Sequence, residues 1–132
     1  MPVTPPPRLN LPILQRLVGV YKLWHQYLPD LPKTARYSLG SKIDTLFIQV
    51  IESLVTATYL AKEEKQPFVL KAIAKLDMLK FFLRVAWEIK VVDNKKYTTL
   101  SEELDEIGRM IGGWNRQLLG KETSAQPTRK AD

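Results

Sequence analysis

The chain contains no cysteine and a single histidine, His25. The first absence removes disulfide frameworks and thiolate metal sites, and it suits a reducing cytoplasm. The second removes the di-metal site of some helical bundles, which needs two Glu-x-x-His pairs. His25 sits on the flank of a helical segment, where a lone histidine is ordinarily a surface or partly packed residue. Phosphate-cradling loops are missing too: there is no P-loop and no Gly-x-Gly-x-x-Gly run. "GRMIGGW" (108–114) is rich in glycine but keeps a helical period and has no lysine placed for phosphate, so it reads as packing. No serine has a neighbouring base in a recognisable motif. Asn-Gly and Asp-Gly turns are absent and β-branched residues are scattered, so nothing signals strands. Asp44 and Glu52 interrupt the longest apolar candidate, leaving no run of about 18 apolar residues for a membrane span. The opening "MPVTPPPRLNLP" lacks the apolar region and small-residue cleavage site of a secretory signal. These absences predict a soluble, unsecreted, cytoplasmic protein, neither an enzyme nor the holder of a cofactor.

What is present is helical periodicity. In 132 residues, 45% of them hydrophobic, four segments repeat apolar positions at three and four, separated by proline or polar breaks. The expected helices cover about 11–28, 33–62, 67–92 and 99–119. "PDLP" (29–32) closes the first, "KEEKQP" (62–67) forms a turn, and "DNKK" (93–96) precedes the fourth. Thr99 and Glu102 have capping-box spacing, and "EELDE" (102–106) would then crowd acids into a first turn, where they suit the helix dipole. A carboxylate metal site is the other reading of that cluster. Gly40 is a weak point inside the second helix. Residues 1–10 read as a flexible proline-rich tail and 120–132 as a disordered basic one. Short connections between long helices imply an all-α, up-down antiparallel four-helix bundle.

The third helix carries more apolar surface than one core can use. In "LDMLKFFLRVAWEIK" (76–90) the charges Asp77, Lys80, Arg84 and Glu88 fall within about 80° at helical spacing, and apolar side chains fill most of the rest. A bundle helix needs an apolar stripe only about 100° wide, so Phe81, Phe82, Val85 and Trp87 are candidates for contact with another subunit. Ile48, Val55 and Tyr59 widen the second helix's stripe in the same way. Gly108 and Gly112 would let a further helix approach closely, or they merely weaken a helix end. A crowded monomer core is the alternative to a homo-oligomer, and the pattern does not give the number of subunits.

Twenty Lys and Arg against fourteen Asp and Glu give a formal net charge of +6, which favours polyanionic partners. Lys33, Arg36 and Lys42 gather near the start of the second helix. Lys71 and Lys75 lie one turn apart, as do Lys80 and Arg84, while Arg109 and Arg116 occupy the outer face of the fourth helix. Cations repeated along helix faces can neutralise phosphates. Alternatively Asp77 pairs with Lys80 and Glu88 with Arg84, as surface ion pairs of small worth.

Three segments together, "LPKTARYSLGSKI" (31–43), "LDMLKFFLRVAWEIK" (76–90) and "LDEIGRMIGGW" (104–114), resemble the accessory variability determinant (Avd) family of diversity-generating retroelements. They also resemble the related four-helix proteins encoded in ribosomal-RNA intervening sequences. The likeness covers about residues 10–119. It implies a barrel-like homopentamer with a basic surface and no catalytic activity. It also implies binding to a reverse transcriptase and to nucleic acid, RNA and cDNA. Cations on helix faces would read phosphates rather than base edges, so that binding is expected to be largely independent of sequence. The family's "L-R-x-x-L-R" cations correspond to Lys80 and Arg84, and its "E-x-G-R" arginine to Arg109. Lysine at 80 keeps the charge but loses arginine's bidentate fork.

Overall fold

We describe the protein from a computed structural model covering residues 11–123, with side chains placed over 12–120. Helix α1 spans Leu11–Tyr27 and runs into a 3-10 turn at Leu28–Asp30. A single helical turn, α2, follows at Lys33–Arg36, then α3 at Leu39–Thr58, α4 at Lys62–Glu88 and α5 at Asn94–Thr123. Among the described residues there is no strand, and no helix is long and apolar enough to cross a membrane.

Cross-helix contacts fix the topology. Between α4 and α5, Gln66 reaches Asn115, Lys80 reaches Asp105 and Trp87 stacks on Tyr97, so numbering rises on one helix as it falls on the other. Arg16 with Glu103 and Tyr27 with Lys96 give the same order for α1 and α5. Trp24 with Asp44 and Leu28 beside Gly40 give it for α1 and α3. Lys42 over Phe82 and Lys65 on the Ala57 carbonyl give it for α3 and α4. Each long helix touches two others, and the ring closes as an up-down antiparallel four-helix bundle.

One apolar cluster fills the interior, drawing on Leu17 and Trp24 from α1, Ile43, Phe47 and Leu54 from α3, Leu76, Leu79 and Leu83 from α4, and Leu100, Leu104 and Ile107 from α5. Trp24 stacks on Phe47 at 6.1 Å between centroids, and Tyr21 meets Phe47 edge-on at 5.6 Å. Asp44 ties this aromatic group to α3. Its Oδ1 accepts from the Tyr21 hydroxyl at 2.9 Å and from the Trp24 indole N–H at 3.2 Å. Burial first, then the hydrogen bond to Asp44 and its negative charge, raise the Tyr21 pKa above the ordinary tyrosine value.

Several helix ends differ from the expected ones, each for a local reason. The expected helix at 33–62 is broken at Tyr37 and Ser38, where the Ser38 hydroxyl donates to the Thr34 and Ala35 carbonyls and competes with the backbone pattern. Beyond the break, Gly40 packs so closely that a Cβ would lie 3.2 Å from Leu28 and 3.3 Å from both Leu31 and the Ala35 carbonyl oxygen. The weak point is therefore a close approach. "KEEKQP" is the start of α4 rather than a turn, and Pro67 lies inside that helix. Lys65 donates to the Ala57 carbonyl at 2.7 Å, closing the end of α3 across a connection of only three residues.

Helix α4 stops at Glu88, short of 92. Lys90 takes a left-handed conformation (φ 66°), while the Val91 and Lys90 amides donate back to the Ala86 and Trp87 carbonyls. That is a Schellman motif with lysine where glycine is usual. Helix α5 begins at Asn94, not 99, because the Asp93 carboxylate accepts from the Lys96 amide at 2.8 Å, as an N-cap does. The expected capping box is thus inside the helix, and Thr99 bonds the Lys95 carbonyl instead. Helix α5 also continues to Thr123, past the expected end at 119. The expected tails, at 1–10 and for the most part at 120–132, lie outside the described residues.

Candidate nucleic-acid interface

The acids of α5 do not form a first-turn cluster; two of them reach across helices. Glu103 takes Arg16 of α1 at 3.1 Å and Asp105 takes Lys80 of α4 at 2.9 Å. Glu106 holds Arg109 through Nε and Nη2, at 3.0 and 2.8 Å. Among the described residues no group of acids is arranged to hold a metal ion. Lys80 therefore pairs with Asp105 rather than Asp77, while Arg84 does pair with Glu88, at 2.9 Å. The three cations that match the family pattern are all neutralised within the chain. Each pair is exposed, so its hold is about 1 kcal/mol or less and a phosphate could displace it.

The other expected cations are scattered over the surface. Arg36 is structural: its Nη2 donates to the Pro29 and Leu31 carbonyls, at 2.9 and 3.1 Å, and its buried Nε has no partner. Lys42 lies 5.9 Å over the Phe82 ring. Among the described residues, Lys33 on α2 has no acidic partner, nor does Arg116 on α5, beside Gly112 and Gly113. Lys71 and Lys75 line a groove of about 400 Å³ between α3 and α4, with Glu52, Ser53 and Phe68.

The fold adds a polarity that no single segment displays. The α1–α3 connection and the α4–α5 turn lie at the same end of the bundle, where Lys96 bridges them by contacting Asp30 at 3.3 Å and Tyr27. Residues 12–120 contain sixteen Lys and Arg against twelve Asp and Glu. Eight of these cations and four of these acids fall in residues 22–44 and 84–98, at that end, which leaves eight of each sign elsewhere. All the net positive charge of these residues is thus at one end, and Lys90, Lys95 and Lys96, which the sequence reading passed over, carry much of it.

The same end holds a cleft of about 690 Å³, lined by Arg84, Trp87, Glu88, Lys90, Val92, Asp93 and Asn94. Trp87 is fixed there. Its indole stacks on Tyr97 at 4.9 Å and 15°, and its N–H donates to Asn94 at 2.6 Å.

Apolar surface is exposed on two sides. On α4, Pro67, Leu70, Ala74, Met78 and Phe81, with half-buried Val85, follow one another at three and four along the face opposite the core. Phe81 is 58% exposed, and Leu70 and Met78 are each 47% exposed. Phe82 is half-buried, edge-on to Phe81. Ile48 and Val55 of α3, with Tyr59 just past its end, form a second exposed stripe. Gly108 lies against Leu76 of α4, with room for a Cβ at 3.5 Å, and lines with Gly112 a groove of about 340 Å³ between α4 and α5. Leu70 and Ala74 were missed by the sequence reading, although they continue the Met78–Phe81–Val85 stripe at the same period.

A comparison with curated proteins found no match. A family model described as bAvd-like matches residues 11–118, which is nearly the whole described bundle. The chain therefore belongs to the bAvd-like family.

Proposed function

We propose that the protein is a non-enzymatic accessory subunit of a diversity-generating retroelement, binding nucleic acid and a reverse transcriptase in support of mutagenic reverse transcription. Family membership supports the biological setting. The observation that carries nucleic-acid binding is that the net positive charge of residues 12–120 lies at one end of the bundle. Helix-borne cations meet phosphates rather than base edges, so the binding is largely independent of sequence. The two unlike apolar stripes, on α4 and α3, support a closed ring of identical subunits, a homopentamer in this reading. Head-to-tail contact uses two different patches per subunit, whereas a two-fold dimer uses one.

Affinity for RNA or DNA falls steeply with salt, and each phosphate contact removed lowers the log–log slope by about 0.7 to 0.9. Titration of the wild type and of a Lys80→Ala/Arg84→Ala variant across salt concentrations tests this. A slope and affinity unchanged in the variant would remove these two residues from the surface. Absence of any binding by the wild type at physiological salt would refute the reading. A second reading, an oligomerisation or protein-interaction module without nucleic acid, draws on the internal pairing of Lys80, Arg84 and Arg109. Light scattering addresses the ring: a monomer at micromolar concentration would exclude it.

A further inference from the structure

Resting on that reading, we infer that the cleft at the α4–α5 turn is a single-strand site, where an unpaired base stacks on Trp87 beside phosphates held by Lys90 and Lys95. Stacking on an aromatic ring next to cations is how proteins bind single strands without regard to sequence. The cleft has the parts. Tyr97 covers one face of the indole and takes no part in the cleft wall, which Trp87 itself lines. The bond to Asn94 holds the ring in place before any ligand arrives.

Of the two acids of the wall, Glu88 is charge-paired and Asp93 keeps its charge, so a phosphate is held on the lysine side of the cleft. Glu88 holds Arg84, and Asp93 caps the Lys96 amide. Lys90 has no acidic partner among the described residues, and its left-handed backbone sets it at the tip of the turn. Lys95 does not line the cleft but follows Asn94 of its wall, and it is likewise exposed and unpaired among the described residues. A duplex offers no free base face within its stack, so this chemistry selects unpaired nucleotides.

Intrinsic fluorescence tests the site directly. Trp24 is 0% exposed and Trp114 is 7% exposed, so Trp87 is the tryptophan a ligand can reach. A short thymidine oligonucleotide added to the full chain at low salt should quench Trp87 emission saturably, and the same strand in duplex form should quench it far less. Trp87→Leu should weaken binding of a dye-labelled strand by about five-fold to a hundred-fold, and Trp87→Phe by less. Should Trp87→Leu fail to fold, as judged by circular dichroism, Lys90→Gly and Lys95→Gln serve instead. Each should lower the salt slope by about 0.7, and Lys90→Gly should do so without loss of helix. Binding of the labelled strand with unchanged indole emission, or equal quenching by duplex, would overturn the stacking site while leaving the proposed function standing. No binding of either form would overturn both.

Discussion

Replacing Asp44 by alanine removes one carboxylate oxygen that serves two donors on another helix, Tyr21 Oη and Trp24 Nε1. The two donors are not equally placed. Trp24 is fully buried, so its N–H would find no water and would carry the desolvation penalty of an unmade bond, about 1–3 kcal/mol. Tyr21 is half-buried, and its hydroxyl can turn to solvent at a loss nearer 0.5–1.5 kcal/mol. The expected destabilisation is therefore about 3 kcal/mol, a large fraction of the roughly 5–15 kcal/mol that holds a domain together. Asp44→Asn keeps an acceptor oxygen at the same place and should cost only about 1 kcal/mol, the part due to charge. Urea unfolding followed by circular dichroism, at one fixed subunit concentration because assembly shifts apparent stability, measures both. If alanine costs less than about 0.5 kcal/mol, or asparagine costs as much as alanine, the buried indole N–H is not what makes Asp44 matter, and the reasoning fails.

Gly40→Ala places a methyl against Leu28, Leu31 and the Ala35 carbonyl. It should destabilise by about 1 kcal/mol despite alanine's better helix propensity, read as a lower urea midpoint. Lys90→Gly relieves a left-handed non-glycine residue and should raise the midpoint by the equivalent of about 0.5–1 kcal/mol with unchanged slope. Tyr21 has its pKa raised in the folded state by burial and by Asp44. The folded protein thus holds this proton more tightly, and the stability it contributes is complete below about pH 10 and lost as pH rises through the raised value. Tyr21→Phe should remove that part of the alkaline decline in thermal melting.

The bundle was legible because four long segments keep a helical apolar period, and the core residues of α1, α3 and α5 are those on the periodic faces. The helix ends were less so, since they depend on bonds made after the chain has folded. The capping-box pattern at Thr99 and Glu102 is real as a pattern, but Asp93 reaches the Lys96 amide first and starts the helix more than a turn earlier. Pro67 suggested a boundary, yet α4 absorbs it within its second turn, while Lys65 is engaged with the end of α3. At Lys90 a lysine stands in a left-handed position that favours glycine, so composition gave no warning of the stop.

The candidate interface was hidden for a different reason. Residue spacing along α4 grouped Lys80 with Arg84, but it could not reveal that Asp105 of α5 would neutralise Lys80. The Arg84–Glu88 pair lies within one helix and spacing shows it, whereas the Lys80–Asp105 pair joins two helices, which spacing along one helix does not describe. The charged end was nonetheless within reach of topology. In an up-down bundle the first and third connections lie at the same end, so the cations of "KTAR" and "DNKK" add together there, far apart in sequence as they are. Charge summed by end rather than by helix face places Lys33, Lys90, Lys95 and Lys96 in one field, with the Trp87 cleft inside it. A polyanion approaching the protein meets the unpaired lysines of that field before it can compete for the cations already held by acids. Unpaired lysines at the end should therefore dominate the salt dependence of encounter, and Lys80, Arg84 and Arg109 should contribute only once a bound strand has displaced their acids.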